Sequence, residues 1–320
     1  MWAASDFGGN DYAARMKPAV VVLALAALLG CTTAAAPQRL ASDAIIDAAE
    51  RAPLDGYATS GRWSAPFTPF NVIGNIYYVG TEGVSSYLIA TPRGHFLLDG
   101  AIAQAVPQIV ANIRALGFDI RDVKYLLNSH AHIDHAGGLA GLQRASDAVM
   151  VASAADRATL EAGAIAYGPT AGMAFPPIRV DRVVGDGDAL SLGGVTLVAH
   201  MTRGHTAGCT SWSMAVAGAD GARHAAFFHC SSTVAGQSLA PEAYPGMVAA
   251  YRNTFARVRG FEADVFLANH GNFFDLEGKR ARQIAGDANA FVDPGALLRF
   301  NGEMEQAFEA ELARQRGGRE

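Results

Sequence analysis

The segment Asn128-Ser129-His130-Ala131-His132-Ile133-Asp134-His135 places three imidazoles and one carboxylate within six positions. Imidazole nitrogen and carboxylate oxygen are donors that suit Zn²⁺. On an extended turn after a strand, His130 and His132 face one way by the two-residue period, and Asp134 and His135 can turn toward an adjacent point. One strand end can then serve two metal ions. The neighbours Ala131, Ala136, Gly137 and Gly138 are small and let the backbone crowd such ions. Two more histidines follow strand-like runs and stand beside glycine: His205 in Arg203-Gly204-His205-Thr206-Ala207-Gly208 and His270 in Leu267-Ala268-Asn269-His270-Gly271. Strand ends converging on one rim would gather all six donors. Asp99, closing the run Leu97-Leu98-Asp99-Gly100, is a candidate acceptor for the far N–H of a metal-bound imidazole. Of the remaining histidines, His95 and His200 read as structural within strands and His224 as exposed near a turn. His229 has no assigned role.

These donors need strand ends to carry them. The runs at 72–91, 95–98 and 123–127 are strand-like, with Gly-rich turns between. Residues 102–116 carry apolar side chains at helical spacing and stop at Gly117. A short helix is expected at 137–145, a strand at 149–152 and a helix at 153–164. The Gly/Pro-rich stretch 165–179 is a loop of the kind that is more often functional than idle, and Tyr167, Met173 and Phe175 offer an apolar wall over a ligand. In the second half, strands are expected at 190–192, 195–202, 210–216, 224–229 and 264–268, with a hairpin turn at Gly218–Gly221. Helices are expected at 244–258 and from Asp293-Pro294, as cap and first position, to about Arg316. Strands followed by helices in both halves imply two stacked sheets with helices outside, in one domain.

Composition narrows the function classes. The 320 residues are 50% hydrophobic and only 17% charged, too apolar for a disordered chain. A net charge of −5 supplies no basic field for nucleic acid. The only long apolar run, residues 19–30, is too short to span a bilayer well. Arg15 and Lys17 precede it, which reads as a secretory signal, with Met16 an alternative start. The run ends in Leu28-Leu29-Gly30-Cys31, which resembles a lipobox with Cys31 as the lipidated residue; the alternative is an ordinary cut near Ala34–Ala36. The organisation expected is a signal at 1–30, a tether and N-terminal arm at 31–65 and a single domain at 66–320. The compartment expected is the periplasm, with the lipid at Cys31 anchoring the chain to the outer membrane. Nothing in the chain demands more than a monomer.

The motifs His130-x-His132-x-Asp134-His135, Gly204-His205-Thr206 and Asn269-His270, supported by Leu97-Leu98-Asp99-Gly100, resemble the metallo-β-lactamase superfamily over about residues 70 to 300. The resemblance implies an α/β (α+β) fold, an αββα sandwich of two mixed sheets flanked by helices, with the metal site at the sheet edge. Most hydrolases of the superfamily carry a bridging aspartate between the second and third histidine motifs, but Phe227–Val234 contains none. That departure, together with Gly208–Trp212, Ser231-x-Thr233 and Tyr244-Pro245-Gly246, is similar to class B β-lactamases of the third subclass. The similarity implies two zinc ions, one on His130, His132 and His205 and one on Asp134, His135 and His270. It further implies that a hydroxide held between them and oriented by Asp134 would open the β-lactam amide, with Ser231 and Thr233 as candidates to bind the substrate carboxylate. The alternatives are a lactonase or thioesterase of the same fold, an oxidoreductase relative, or a zinc-binding domain without activity.

Cys209 and Cys230 centre on the predicted hairpin turn, so a regular hairpin sets them opposite each other. Three states are open: a cross-strand disulfide, a Cys230 thiolate facing the second metal, or two free thiols.

Overall fold

Alternation along the strands builds both faces of the first sheet. In the computed structural model, which describes residues 39–54, 63–219 and 221–318, seven strands lie in chain order. They are β1 (Phe70–Ile73), β2 (Ile76–Tyr78), β3 (Tyr87–Thr91), β4 (Gly94–Leu98), β5 (Val123–Leu127), β6 (Val149–Ser153) and β7 (Arg182–Val184). Pairing is antiparallel from β1 to β4 and parallel from β4 to β7. The period of two sends Tyr87, Phe96, Leu127 and Val151 into one apolar cluster and Leu88, Leu97, Leu126 and Met150 into another on the opposite face. The expected signal segment and Cys31 lie outside the described residues.

The second sheet runs β12-β11-β10-β9-β8, from β8 (Ala189–Leu192), β9 (Val195–Met201), β10 (Thr210–Ala217), β11 (Arg223–His229) and β12 (Val265–Ala268). Only β11–β12 is parallel. Its inner residues Leu197, Ala199, Trp212, Met214, Phe228 and Leu267 meet Tyr87, Phe96 and Leu127 of the first sheet. This is the sheet-on-sheet core. Outside the first sheet pack α1 (Asp43–Arg51), α2 (Val106–Ala115), α4 (Leu139–Ser146) and α5 (Ala154–Ala162), after the single turn α3 (Ile133–Ala136). α6 (Met247–Val258), α7 (Leu276–Ile284) and α8 (Ala296–Gly317) follow β11 and β12. Tyr251, Phe255, Phe308 and Leu312 seal α6 to α8. The fold is the expected αββα sandwich of two mixed sheets.

Three elements were not expected. α1 falls in the segment read as a tether, yet Ser42 caps it and Ile46 is buried against the first sheet's helices. α7 carries so many charges that only Leu276 and Lys279 are buried, so no apolar period announces it. β7 is three residues long, below the length that alternation can reveal. One start is corrected: α8 begins at Ala296, and the Asp293 side chain instead accepts from Gly295 N–H at 3.2 Å and pairs with Arg299.

Candidate metal centre

The donors stand just beyond strand ends. β5 runs into His130, His132, Asp134 and His135; the β9–β10 connection carries His205; β12 runs into His270. Short polar segments after rigid strands place side chains firmly while leaving the backbone free to turn. The ligand atoms of His130, His132 and His205 lie within 4.8 Å of one another, as do those of Asp134, His135 and His270. In the first group, His130 Nε2 is 3.1 Å from His132 Nδ1, and the His205 ring is 4.6 Å from that of His132. In the second, Asp134 Oδ2 is 3.0 Å from His135 Nε2 and 3.3 Å from His270 Nε2. The groups are neighbours, with the His130 and His135 rings 4.4 Å apart.

Hydrogen bonds on the far ring nitrogens set the tautomers. Ser129 Oγ donates to Asp99 Oδ2 at 2.6 Å, so it accepts from His130 Nδ1–H at 3.1 Å and leaves Nε2 with a lone pair. His205 Nδ1–H donates to the Thr233 carbonyl at 2.9 Å, and His270 Nδ1–H to the Gly83 carbonyl at 3.0 Å. His135 Nδ1 is buried 3.5 Å from Asp99 Oδ2, close enough for electrostatic attraction but without a hydrogen bond. Asp99 thus backs the first group through Ser129 and lies close to His135 of the second. It holds φ +60°, a left-handed backbone that only a packed surrounding sustains.

Electrostatics separates the two groups. Burial, reinforced by neighbouring imidazoles, holds His130 and His132 well below the usual histidine range, and burial takes His205 down to about 4. These three rings are neutral, as metal ligation requires. Burial also opposes charge on His135 and Asp134, but their mutual attraction outweighs it. His135 rises to about 10, and Asp134 falls well below the carboxylate range. His132 Nε2 is buried without a hydrogen-bond partner, and Asp134 Oδ2, His135 Nε2 and His270 Nε2 converge within about 3.3 Å of one another in the second group, a crowding that a cation displacing the His135 proton would relieve. Nitrogen-rich sets of this kind fit divalent transition-metal ions.

The surroundings differ in part from expectation. In the 165–179 loop, Tyr167 Oη accepts from Ala207 N–H at 3.1 Å and its ring lies 5.2 Å from Tyr244, so it braces the His205 turn. Phe175 is 6% exposed and belongs to the core, not to an apolar wall. Gly168, at φ +78°, brings the loop close: a β-carbon there would stand 3.3 Å from His132 Nε2 and 3.1 Å from Gln237 Oε1. Gln237, which has no signature in the sequence, is buried and donates to the His205 carbonyl at 3.0 Å. Near the second group the aromatic rings are Phe273, 5.1 Å from His270, and Trp63, 6.3 Å from it. Ser231 is buried and Thr233 half-buried. His224 is not exposed as expected: its side chain is 14% exposed and lies 3.9 Å from Asp264.

Cys209 and Cys230 are joined by a disulfide with Cα atoms 5.8 Å apart. The hairpin pairs Trp212 with Phe228 and Ala217 with Arg223, which puts Cys230 one residue out of register with Cys209. The bridge therefore closes just beyond both strands, beside His130, rather than across a regular rung.

A sequence profile described as the metallo-β-lactamase superfamily matches residues 79–218. The chain superposes on BJP-1, a subclass B3 metallo-β-lactamase of Bradyrhizobium japonicum, with a TM-score of 0.78 and 40% identity, covering 82% of this chain and 100% of that one. FEZ-1, a metallo-β-lactamase from Legionella gormanii, gives 0.76 and 36% identity over 79% of this chain and 98% of its own. A Cronobacter sakazakii metallo-β-lactamase with a HARLDQ motif gives 0.75 and 41% over 79% and 97%; residues 130–135 here read HAHIDH. Among curated proteins, the N-acyl homoserine lactonase AttM of Azorhizobium caulinodans is 32% identical over 88 residues, 21% of this chain. That match spans only 34% of the lactonase. The two histidine-rich donor groups at the strand ends of the two sheets and the full-length match to a subclass B3 enzyme place this chain in the metallo-β-lactamase superfamily.

Proposed function

We propose that this protein is a zinc-dependent β-lactamase that hydrolyses the β-lactam amide of penicillins, cephalosporins and carbapenems. The observation that carries the reading is the pairing of a three-histidine group with an Asp-His-His group on a chain that covers the whole of a subclass B3 enzyme at 40% identity. His130, His132 and His205 would hold one zinc ion, and Asp134, His135 and His270 the other. Two such cations would supply an ionised water at neutral pH and stabilise the negative charge that develops as the amide opens. The chain's own part is orientation. Ser129, Asp99 and the carbonyls of Thr233 and Gly83 aim the ring lone pairs, and Asp134 would hold the attacking water by hydrogen bond. Thr233 and Ser231 would bind the substrate carboxylate, with Thr233 the more accessible of the two. No nucleophilic serine or cysteine is needed, and the disulfide leaves Cys230 no thiolate to offer.

Export to the periplasm fits the basic residues Arg15 and Lys17 ahead of the apolar run 19–30, and lipid on Cys31 would anchor the chain to the outer membrane. Such an enzyme would confer β-lactam resistance there.

The second reading is lactone hydrolysis, which the match to the lactonases favours. The absence of an aspartate from residues 227–234 weighs against it. Purified protein is assayed on a cephalosporin, a carbapenem and an N-acyl homoserine lactone, with and without a zinc chelator. Chelator-sensitive turnover of the β-lactams is expected. Lactone turnover alone, with zinc bound, would overturn the β-lactamase reading.

A further inference from the structure

We infer that Asp156 is the positioning residue of the first donor group: a single buried carboxylate fastens both chain segments that carry His130, His132 and His205. Asp156 is the third residue of α5, three positions after the capping Ser153, whose Oγ accepts from Asp156 N–H at 3.2 Å. An acidic side chain at that position commonly folds back onto its own helix cap. This one reaches outward instead. Its Oδ2 accepts from Ala131 N–H at 3.1 Å and from the Thr206 hydroxyl at 3.2 Å, and the carboxylate also accepts from Gly208 N–H. Ala131 lies between His130 and His132; Thr206 and Gly208 follow His205. Asp156 is 2% exposed, so no solvent competes for these bonds. Gly208 makes the approach possible, because a β-carbon there would stand 2.3 Å from Asp156 Cγ and 2.3 Å from Ser153 Oγ.

The second group has different supports. Asp134 and His135 stand on α3, His135 beside Asp99, and His270 is held by the Gly83 carbonyl. None of the hydrogen bonds of Asp156 reaches those residues. Removing the carboxylate therefore loosens one group and spares the other. The inference rests on the reading that both groups bind metal.

The test uses the full chain in two backgrounds: His270→Ala, where only the first group is complete, and His205→Ala, where only the second is. Zinc affinity is measured by competition with a chromophoric chelator. Asp156→Ala is expected to weaken binding about 10- to 100-fold in the His270→Ala background and to leave the His205→Ala background unchanged. Asp156→Asn, which keeps acceptors for two donors but opposes its amide to Gly208 N–H, is expected to fall between. Ser153→Ala removes the helix cap and leaves zinc binding alone in both. Circular dichroism and the second-group affinity report whether Asp156→Ala folds; if it does not, Asp156→Asn carries the comparison. Equal losses in both backgrounds, or none, would overturn the inference alone. A wild-type chain that takes up no zinc would overturn the metal-site reading and the inference with it.

Discussion

His229 is a base kept uncharged by its surroundings. Its Nε2 is 3.1 Å from Ser232 Oγ and its Nδ1 3.4 Å from Ser211 Oγ, and burial holds its pKa down to about 3. An unfolded histidine titrates near 6.5, so between about pH 6.5 and 3 the unfolded chain binds the extra proton. The stability contributed by neutral His229 is complete above that window and is lost as pH falls through it. Between pH 6.5 and 5 the loss amounts to about 2 kcal/mol. Urea unfolding at both pH values should show His229→Gln with a shallower pH dependence by that amount; an unchanged slope would mean that the ring is protonated in the fold. The disulfide contributes at the same scale. Its cysteines are 21 residues apart, and closing a loop of that size removes about 3 kcal/mol of freedom from the unfolded chain. The Cys209→Ser/Cys230→Ser double variant should lose about that much in chemical denaturation, and a reductant should no longer shift its midpoint.

α1 shows how one element outside the sandwich is held. Ser42 Oγ accepts from Ile45 N–H, Ile46 is 1% exposed, and Arg144 of α4 reaches Asp47 and Glu50, the latter at 2.9 Å. The apolar contact dominates, since partly exposed ion pairs contribute at most about 1 kcal/mol. Ile46→Ala should cost about 2–4 kcal/mol by equilibrium unfolding. Arg144→Ala should cost much less; a larger loss from Arg144 would mean that charge, not packing, docks the helix.

On the scale of the molecule, the donors come from both sheets. His130, His132, Asp134 and His135 follow β5 of the first, while His205 and His270 follow β9 and β12 of the second. Cations bound there would tie the two sheets together and favour the folded chain. Chelation should lower the melting temperature and added zinc restore it, with a stabilisation of about 4 kcal/mol when free zinc is a thousand times its dissociation constant. A melting curve indifferent to chelator would mean that the sandwich edge is held without metal.

The residues that could ligate metal were legible in the sequence because donor chemistry is a property of residue type, and the strands carrying them because alternation is local. Their division into two neighbouring groups depends on packing between sheets. So do the supports behind them. The Gly83 carbonyl that holds His270 comes from 187 positions away, and every residue carries a carbonyl, so no residue type marks it. Asp99 was recognisable as an acceptor, but its hold on His130 through Ser129 requires β4 and β5 to lie side by side. Asp156 has no signature in the sequence beyond standing three positions after Ser153, the residue that caps its helix. Only the approach of Gly208 and Ala131 turns its carboxylate toward the histidine loops. Local spacing determines what a segment can offer; which backbone groups meet across the chain is decided when the sheets pack.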